Sequence, residues 1–121
     1  MQRQAEGYPR SARLSRPADY ARVFAGASRV ADRYFTILVI RNGCGRARLG
    51  LAVSKKTAPS AVARNRIKRR IRETFRLHQH AVGGKDLVVI AKPPARMAQG
   101  TMLNSSLCQL WQRVSQRCER C

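Results

Sequence analysis

The sequence predicts a single α+β domain in which helices cover a small sheet. Three observations lead there. The chain has 121 residues, 44% of them hydrophobic, which suits one domain with a modest core under two layers of secondary structure. Two segments, Tyr34–Ile40 and Arg46–Ser54, are rich in β-branched or alternating apolar residues, the pattern of strands. Two others, near Ala61–His78 and Thr101–Arg117, place apolar residues at helical spacing.

Taken in order, Met1–Arg13 is polar, bears Gly7 and Pro9, and shows no periodicity. It reads as a flexible basic arm ahead of a domain at 14–117, with 118–121 as a tail. A first helix starts at Pro17, with Ser15 or Arg16 as its cap and Asp19 in the first turn near the positive end of the dipole. Tyr20, Val23 and Phe24 continue the helical spacing until Gly26 stops it. Tyr34–Ile40, the turn Arg41-Asn42-Gly43-Cys44-Gly45 and Arg46–Ser54 read as a hairpin. Thr57-Ala58-Pro59-Ser60 opens a helix from about Ala61 to His78, and Gly83-Gly84 closes that segment. Leu87–Ala91 is a continuous apolar run, as expected of a strand buried on both faces, and Pro93-Pro94 breaks it. The last helix carries Leu103, Leu107, Leu110, Trp111 and Val114 on one stripe, which reads as core.

Charge narrows the function. Lys+Arg 25 against Asp+Glu 6 leaves a formal net charge of +19. Such an excess opposes compaction unless a polyanion neutralises it. Arginine far outnumbers lysine, and guanidinium forks grip phosphates and stack on bases, which favours nucleic acid over an anionic membrane or an acidic protein. No stretch has the length of a membrane span or the layout of a signal peptide, so the expected address is cytoplasmic. Cys44, Cys108, Cys118 and Cys121 are not spaced as a disulfide framework, and His78-x-His80 and Cys118-x-x-Cys121 make poor zinc sites; no zinc is expected. Six acids, no paired carboxylates and no serine–histidine constellation argue against a catalytic centre in this chain.

The charge concentrates on the central helix. On a wheel of roughly 100° per residue, Ile67, Ile71 and Phe75 fall within about 80° of one another, with Ala63 and Thr74 beside them. Asn65, Lys68, Arg69, Arg72 and Arg76 occupy the opposite arc, with Arg66 just beyond Glu73. Like charges at i and i+4, such as Arg64/Lys68 and Lys68/Arg72, oppose helix formation unless an anion binds them. A solvated charged face is the competing reading, but it fits mixed-sign runs better than this single-sign one.

The string Leu49-Gly50-Leu51-Ala52-Val53-Ser54-Lys55-Lys56, followed by Ala63-Arg64-Asn65-Arg66-Ile67-Lys68-Arg69 and Arg72-Glu73, resembles the signature of the bacterial ribonuclease P protein subunit. Arg13-Leu14, Asp19-Tyr20, Val23-Phe24, Arg33-Tyr34-Phe35, Asp86–Lys92 and Leu107–Arg113 extend the likeness over roughly residues 13–114. Tyr20 departs from a commoner Phe, and Arg70 from a commoner apolar residue. The resemblance implies an α-β-β-β-α-β-α two-layer sandwich like domain 2 of ribosomal protein S5. It also implies a short extra strand near Ser28–Ala31 and a left-handed β-α-β crossover through the basic helix. In function it implies a subunit of an endonuclease that removes the 5′ leader of precursor tRNA, with the chemistry performed by a catalytic RNA subunit and by Mg2+ bound mainly to that RNA.

The residues suit those roles. Arg64, Arg66, Lys68, Arg69, Arg72 and Arg76 are phosphate-binding candidates. Asn65 offers a donor and an acceptor to a 2′-hydroxyl, a phosphate or a metal-bound water. An unpaired leader needs aromatic platforms, and the resemblance places Tyr20, Phe24 and Phe35 in a cleft between the first helix and the sheet. Core packing is the competing reading for these aromatics. Ser54, Lys55 and Lys56 leave the strand beside that cleft, within reach of leader phosphates. The competing function is a ribosomal or other structural RNA-binding protein of the same fold; a membrane-active protein and a standalone nuclease are weaker alternatives.

Overall fold

The computed structural model describes residues 13–14, 16–43 and 45–118, the side chains of 117 and 118 apart. The remainder of the expected arm and tail, the Ser15 cap, and Cys44 and Cys121 lie outside the described residues. Helix α1 (Pro17–Gly26) starts where Pro17 fixes φ for the first turn, with Arg16 as N-cap and Asp19 in that turn. Strand β1 (Ser28–Ala31), which the resemblance alone implied, pairs antiparallel with β2 (Phe35–Arg41). Asp32 builds the turn between them: its Oδ1 accepts the amides of Tyr34 and Phe35 at 2.8 and 3.0 Å.

The expected hairpin between β2 and β3 (Arg48–Ala52) does not form. The sheet order is β1-β2-β4-β3, so β4 (Lys85–Ala91) lies between them, antiparallel to β2 and parallel to β3. The physical reason is visible in β4 itself. Leu87, Val88 and Val89 are fully buried, and a strand apolar on both faces gains most at the centre of a sheet. Just after β2, Asn42 therefore meets the start of β4, its amide donating to the Gly84 carbonyl at 3.0 Å. Gly84 has φ +80°, a left-handed conformation that favours glycine there.

Parallel strands need a crossover, and helix α2 (Ala61–His78) supplies it between β3 and β4. Ser60 caps α2 by accepting the Ala63 amide at 3.0 Å. Ile67, Ile71, Thr74 and Phe75 are buried as the wheel predicts. Residues Pro93–Arg96 form a 3-10 turn that leads into helix α3 (Gly100–Cys118). Its stripe from Leu103 to Val114 is buried. Trp111 packs edge-on against Phe75 at 5.7 Å and donates its indole N–H to Thr74 Oγ1 at 3.0 Å. One sheet face thus packs on α2 and α3 through Ile37, Leu49, Leu87 and Val89, while Val88 meets Val23 of α1 on the other. Among the described residues no helix is long and apolar enough to cross a membrane.

Candidate nucleic-acid interface

The apolar stripe of α2 faces the sheet and α3, so the opposite arc must face out. Asn65, Arg69 and Arg72 are exposed, and Lys68 and Arg76 are half-exposed. Arg76 sits 3.9 Å from Glu73 in a solvated i,i+3 ion pair. Two other predicted contacts turn back onto the chain. Arg64 Nη1 donates to the carbonyls of Ala58 and Pro59 at 3.0 and 2.9 Å. Arg66 donates to Arg96 O at 2.7 Å and to Ala98 O at 3.3 Å, tying the basic helix to the loop before α3. These two arginines hold backbone while keeping other guanidinium N–H groups for a ligand. Arg70, the departure noted above, lies against Gly100, where a Cβ would stand 2.4 Å from its guanidinium. A side chain at position 100 would displace it.

Lys68 and Arg72 form one wall of a groove of about 510 Å³ at the β3 edge of the sheet; Arg13, Leu14 and Tyr20 line it too, over Leu49 and Leu51. Arg13 reaches this position because it forms a parallel bridge to Leu49, whose carbonyl accepts the Leu14 amide at 2.9 Å. Tyr20 reaches it because residue 50 is glycine. An added Cβ at Gly50 would lie 2.8 Å from the ring. From the sequence, Arg13 and Leu14 mark only the junction of arm and domain and a point of likeness, and Gly50 is one residue of the likeness string. Their roles depend on contacts across 30 or more positions that no local pattern encodes.

A buried carboxylate fixes α1 on the sheet. Asp86 is fully buried and accepts from Arg48 Nε and Nη2 at 2.8 and 2.7 Å, from Asn42 Nδ2 at 2.9 Å, and from Arg22 of α1. Burial alone would raise this carboxyl; hydrogen bonds from Arg48 and Asn42, with the charges of Arg48 and Arg22, outweigh it and hold the pKa below the ordinary 3.8. Arg48 also lies 3.8 Å from Asp19.

The aromatic expectations divide. Phe35 is corrected: it is fully buried in the core that β2 shares with α2 and α3, and offers no platform. Strand alternation decides this, since Phe35, Ile37 and Val39 share one face and Thr36, Leu38 and Ile40 the face of α1. Phe24 is 53% exposed, because Val23 takes the inward position of α1. Tyr20 is half-buried. On the α1 face Leu38, Ile40 and Ile90 stay partly open. Ser54, Lys55 and Lys56 are exposed just beyond β3. Ser54 Oγ accepts the Thr57 amide at 3.2 Å, and Thr57 Oγ1 donates to Ala91 O at 3.2 Å, so the two lysines project from a fixed turn.

A fixed array of cations beside an aromatic-flanked groove, on a chain of +19, defines a nucleic-acid-binding α+β protein. The comparisons agree. The family model Ribonuclease P matches residues 8–115. The ribonuclease P protein component of Thioalkalivibrio sulfidiphilus is 45% identical over 113 residues, 93% of this chain and 94% of that protein. The solved structure of the Staphylococcus aureus RNase P protein superposes with a TM-score of 0.79 at 36% identity, covering 84% of this chain and 94% of that one. The Thermotoga maritima RNase P protein gives 0.75 at 29%, over 84% and 96%. The chain belongs to the ribonuclease P protein family.

Proposed function

We propose that the chain is the RNA-binding subunit of a ribonucleoprotein endonuclease in tRNA processing, holding a catalytic RNA through α2 and the unpaired 5′ leader of precursor tRNA beside α1. The observation that carries this reading is the groove in which Tyr20, seated over Gly50, shares one cavity with Lys68 and Arg72. Aromatic and cationic groups in one groove match what a single strand presents, a base face and a phosphate. Exposed Phe24 extends the aromatic surface, and Lys55 and Lys56 the cationic one.

Phosphodiester chemistry is assigned to the RNA and its Mg2+. Among the described residues no three His, Cys, Asp or Glu side chains come together, and Asp86 is taken up by two arginines. Asn65, exposed on α2, is suited to hold a metal-bound water or a 2′-hydroxyl at the RNA surface.

The experiment is to purify the protein from cells and sequence the RNA that accompanies it, then to assay that complex on precursor tRNA with magnesium. One RNA of a few hundred nucleotides and release of the 5′ leader are expected. Ribosomal RNA as the companion, or leader release by the protein alone, would overturn the reading. The ribosomal alternative is not favoured, because the family match runs through nearly the whole chain.

A further inference from the structure

A second cavity, of about 350 Å³, lies by the β1–β2 turn and the first half of α3, lined by Asp32, Tyr34, Met102, Ser105, Ser106 and Gln109 among others. β1 and β3 are opposite edges of the sheet, so this cavity is remote from the groove at Tyr20. Its chemistry is distinctive. Tyr34 supplies an aromatic wall and Met102, 51% exposed, a polarisable one. Ser105 and Gln109 are exposed on α3, and among the described residues no hydrogen bond engages their side chains or the Tyr34 hydroxyl.

The turn beneath is held rigid and positive. The Asp32 carboxylate is occupied by the amides of Tyr34 and Phe35 and by the Ser106 hydroxyl. Lys92 Nζ donates to Asp32 O at 2.6 Å, Arg113 Nη1 to Ala31 O at 3.1 Å, and the Arg33 guanidinium stands 5.8 Å from the Tyr34 ring centroid. An aromatic wall, amide and hydroxyl groups at the rim, and three cations on the turn that borders the lining, where the Asp32 carboxylate is already hydrogen-bonded, match one unpaired base with its flanking phosphates. A peptide would leave those cations unanswered unless it were acidic.

We propose that this cavity binds a single unpaired RNA base, giving the protein a second single-strand site on the sheet edge opposite the groove at Tyr20. The proposal rests on the RNA-binding reading above. The source is the leader of precursor tRNA or an unpaired segment of the catalytic RNA.

The test uses the full chain and a short oligouridine carrying 4-thiouridine, with photo-cross-links mapped to peptides and affinity read by fluorescence anisotropy. Wild type should cross-link at Tyr34 or Met102 as well as near the basic helix. Tyr34→Ala should lose the first set and weaken binding about five- to a hundredfold. Tyr34 also touches the core, so Ser105→Trp serves as the second variant; it fills the cavity from an exposed helical position and should block the same cross-links. In the assembled complex, a defect confined to precursor over mature tRNA assigns the base to the leader, and weaker assembly assigns it to the catalytic RNA. Cross-links confined to the basic helix and α1, or unchanged affinity in both variants, would overturn the second site alone. No binding by wild type would instead overturn the RNA-binding reading itself.

Discussion

The ring of Tyr20 lies directly over Gly50, so close that a Cβ there would stand 2.8 Å from it. Because β3 forms one edge of the sheet, this contact fixes how near α1 can come to the groove that Lys68 and Arg72 line. Gly50→Ala should therefore push the ring out of place, lowering stability by about 1–3 kcal/mol as overpacking does. It should also weaken single-strand binding. Tyr20→Ala should relieve much of the strain, so the double variant should be less destabilised than the sum of the two. Urea denaturation of the four proteins measures this; strict additivity would disprove the contact.

Phe24 is the cleaner probe of the leader. It is more than half exposed, so Phe24→Ala should leave the melting temperature nearly unchanged. Loss of one stacked base is worth about 1–3 kcal/mol, so precursor tRNA should bind roughly five- to a hundredfold more weakly. Mature tRNA should bind as before. Equal losses for both tRNAs, measured side by side in the assembled complex, would remove Phe24 from the leader site.

Arg66 and Arg69 should separate by salt dependence. Arg69 is exposed on the outer arc of α2, and Arg69→Ala should shallow the log–log dependence of RNA affinity on salt by about one unit for one lost phosphate contact. Arg66 donates to the carbonyls of Arg96 and Ala98. Arg66→Ala should chiefly cost stability, about 1–2 kcal/mol for lost charge-assisted hydrogen bonds, with a smaller change in slope. Filter binding across a salt series, with thermal melts of each variant, tests the contrast.

Asp86 makes stability depend on pH in one direction. Its folded pKa lies below the ordinary 3.8, so the ionised carboxylate contributes fully above about pH 4. That contribution is lost as the pH falls through the folded pKa. Asp86→Asn should flatten the acid limb of the stability curve. Asp86→Ala should cost about 2–4 kcal/mol at neutral pH, less than a fully buried pair because Arg22 and Arg48 can turn to water. Loss of α1 docking should accompany it, read as increased amide exchange at Val23.

The single-sign charge predicts a folding response to anions. With +19 on the chain and like charges stacked along α2, sulfate or phosphate at low ionic strength should raise helicity and the melting temperature by relieving repulsion. Circular dichroism with no gain in either would count against this.

Helices α1, α2 and α3 were legible within a residue or so of their ends, because their caps and apolar stripes lie within a few positions of one another in the chain. The same holds for the outward basic arc, whose members are fixed once Ile67, Ile71 and Phe75 face inward. The reading of β4 as a strand buried on both faces also came from its own composition. What local pattern could not supply was the partner of each strand. β2 and β3 look like a hairpin across a glycine-rich turn, yet β4 inserts between them, because pairing is decided by burial summed over the sheet and not by proximity in sequence. Tertiary structure likewise decided that Phe35 is core and Phe24 is surface, that Arg64 and Arg66 hold backbone carbonyls, and that Arg13, Tyr20, Gly50 and Arg72 meet at one edge. Local periodicity encodes which face of an element is apolar; which element covers that face depends on contacts between residues far apart in the chain, and these exist only once the sheet has assembled.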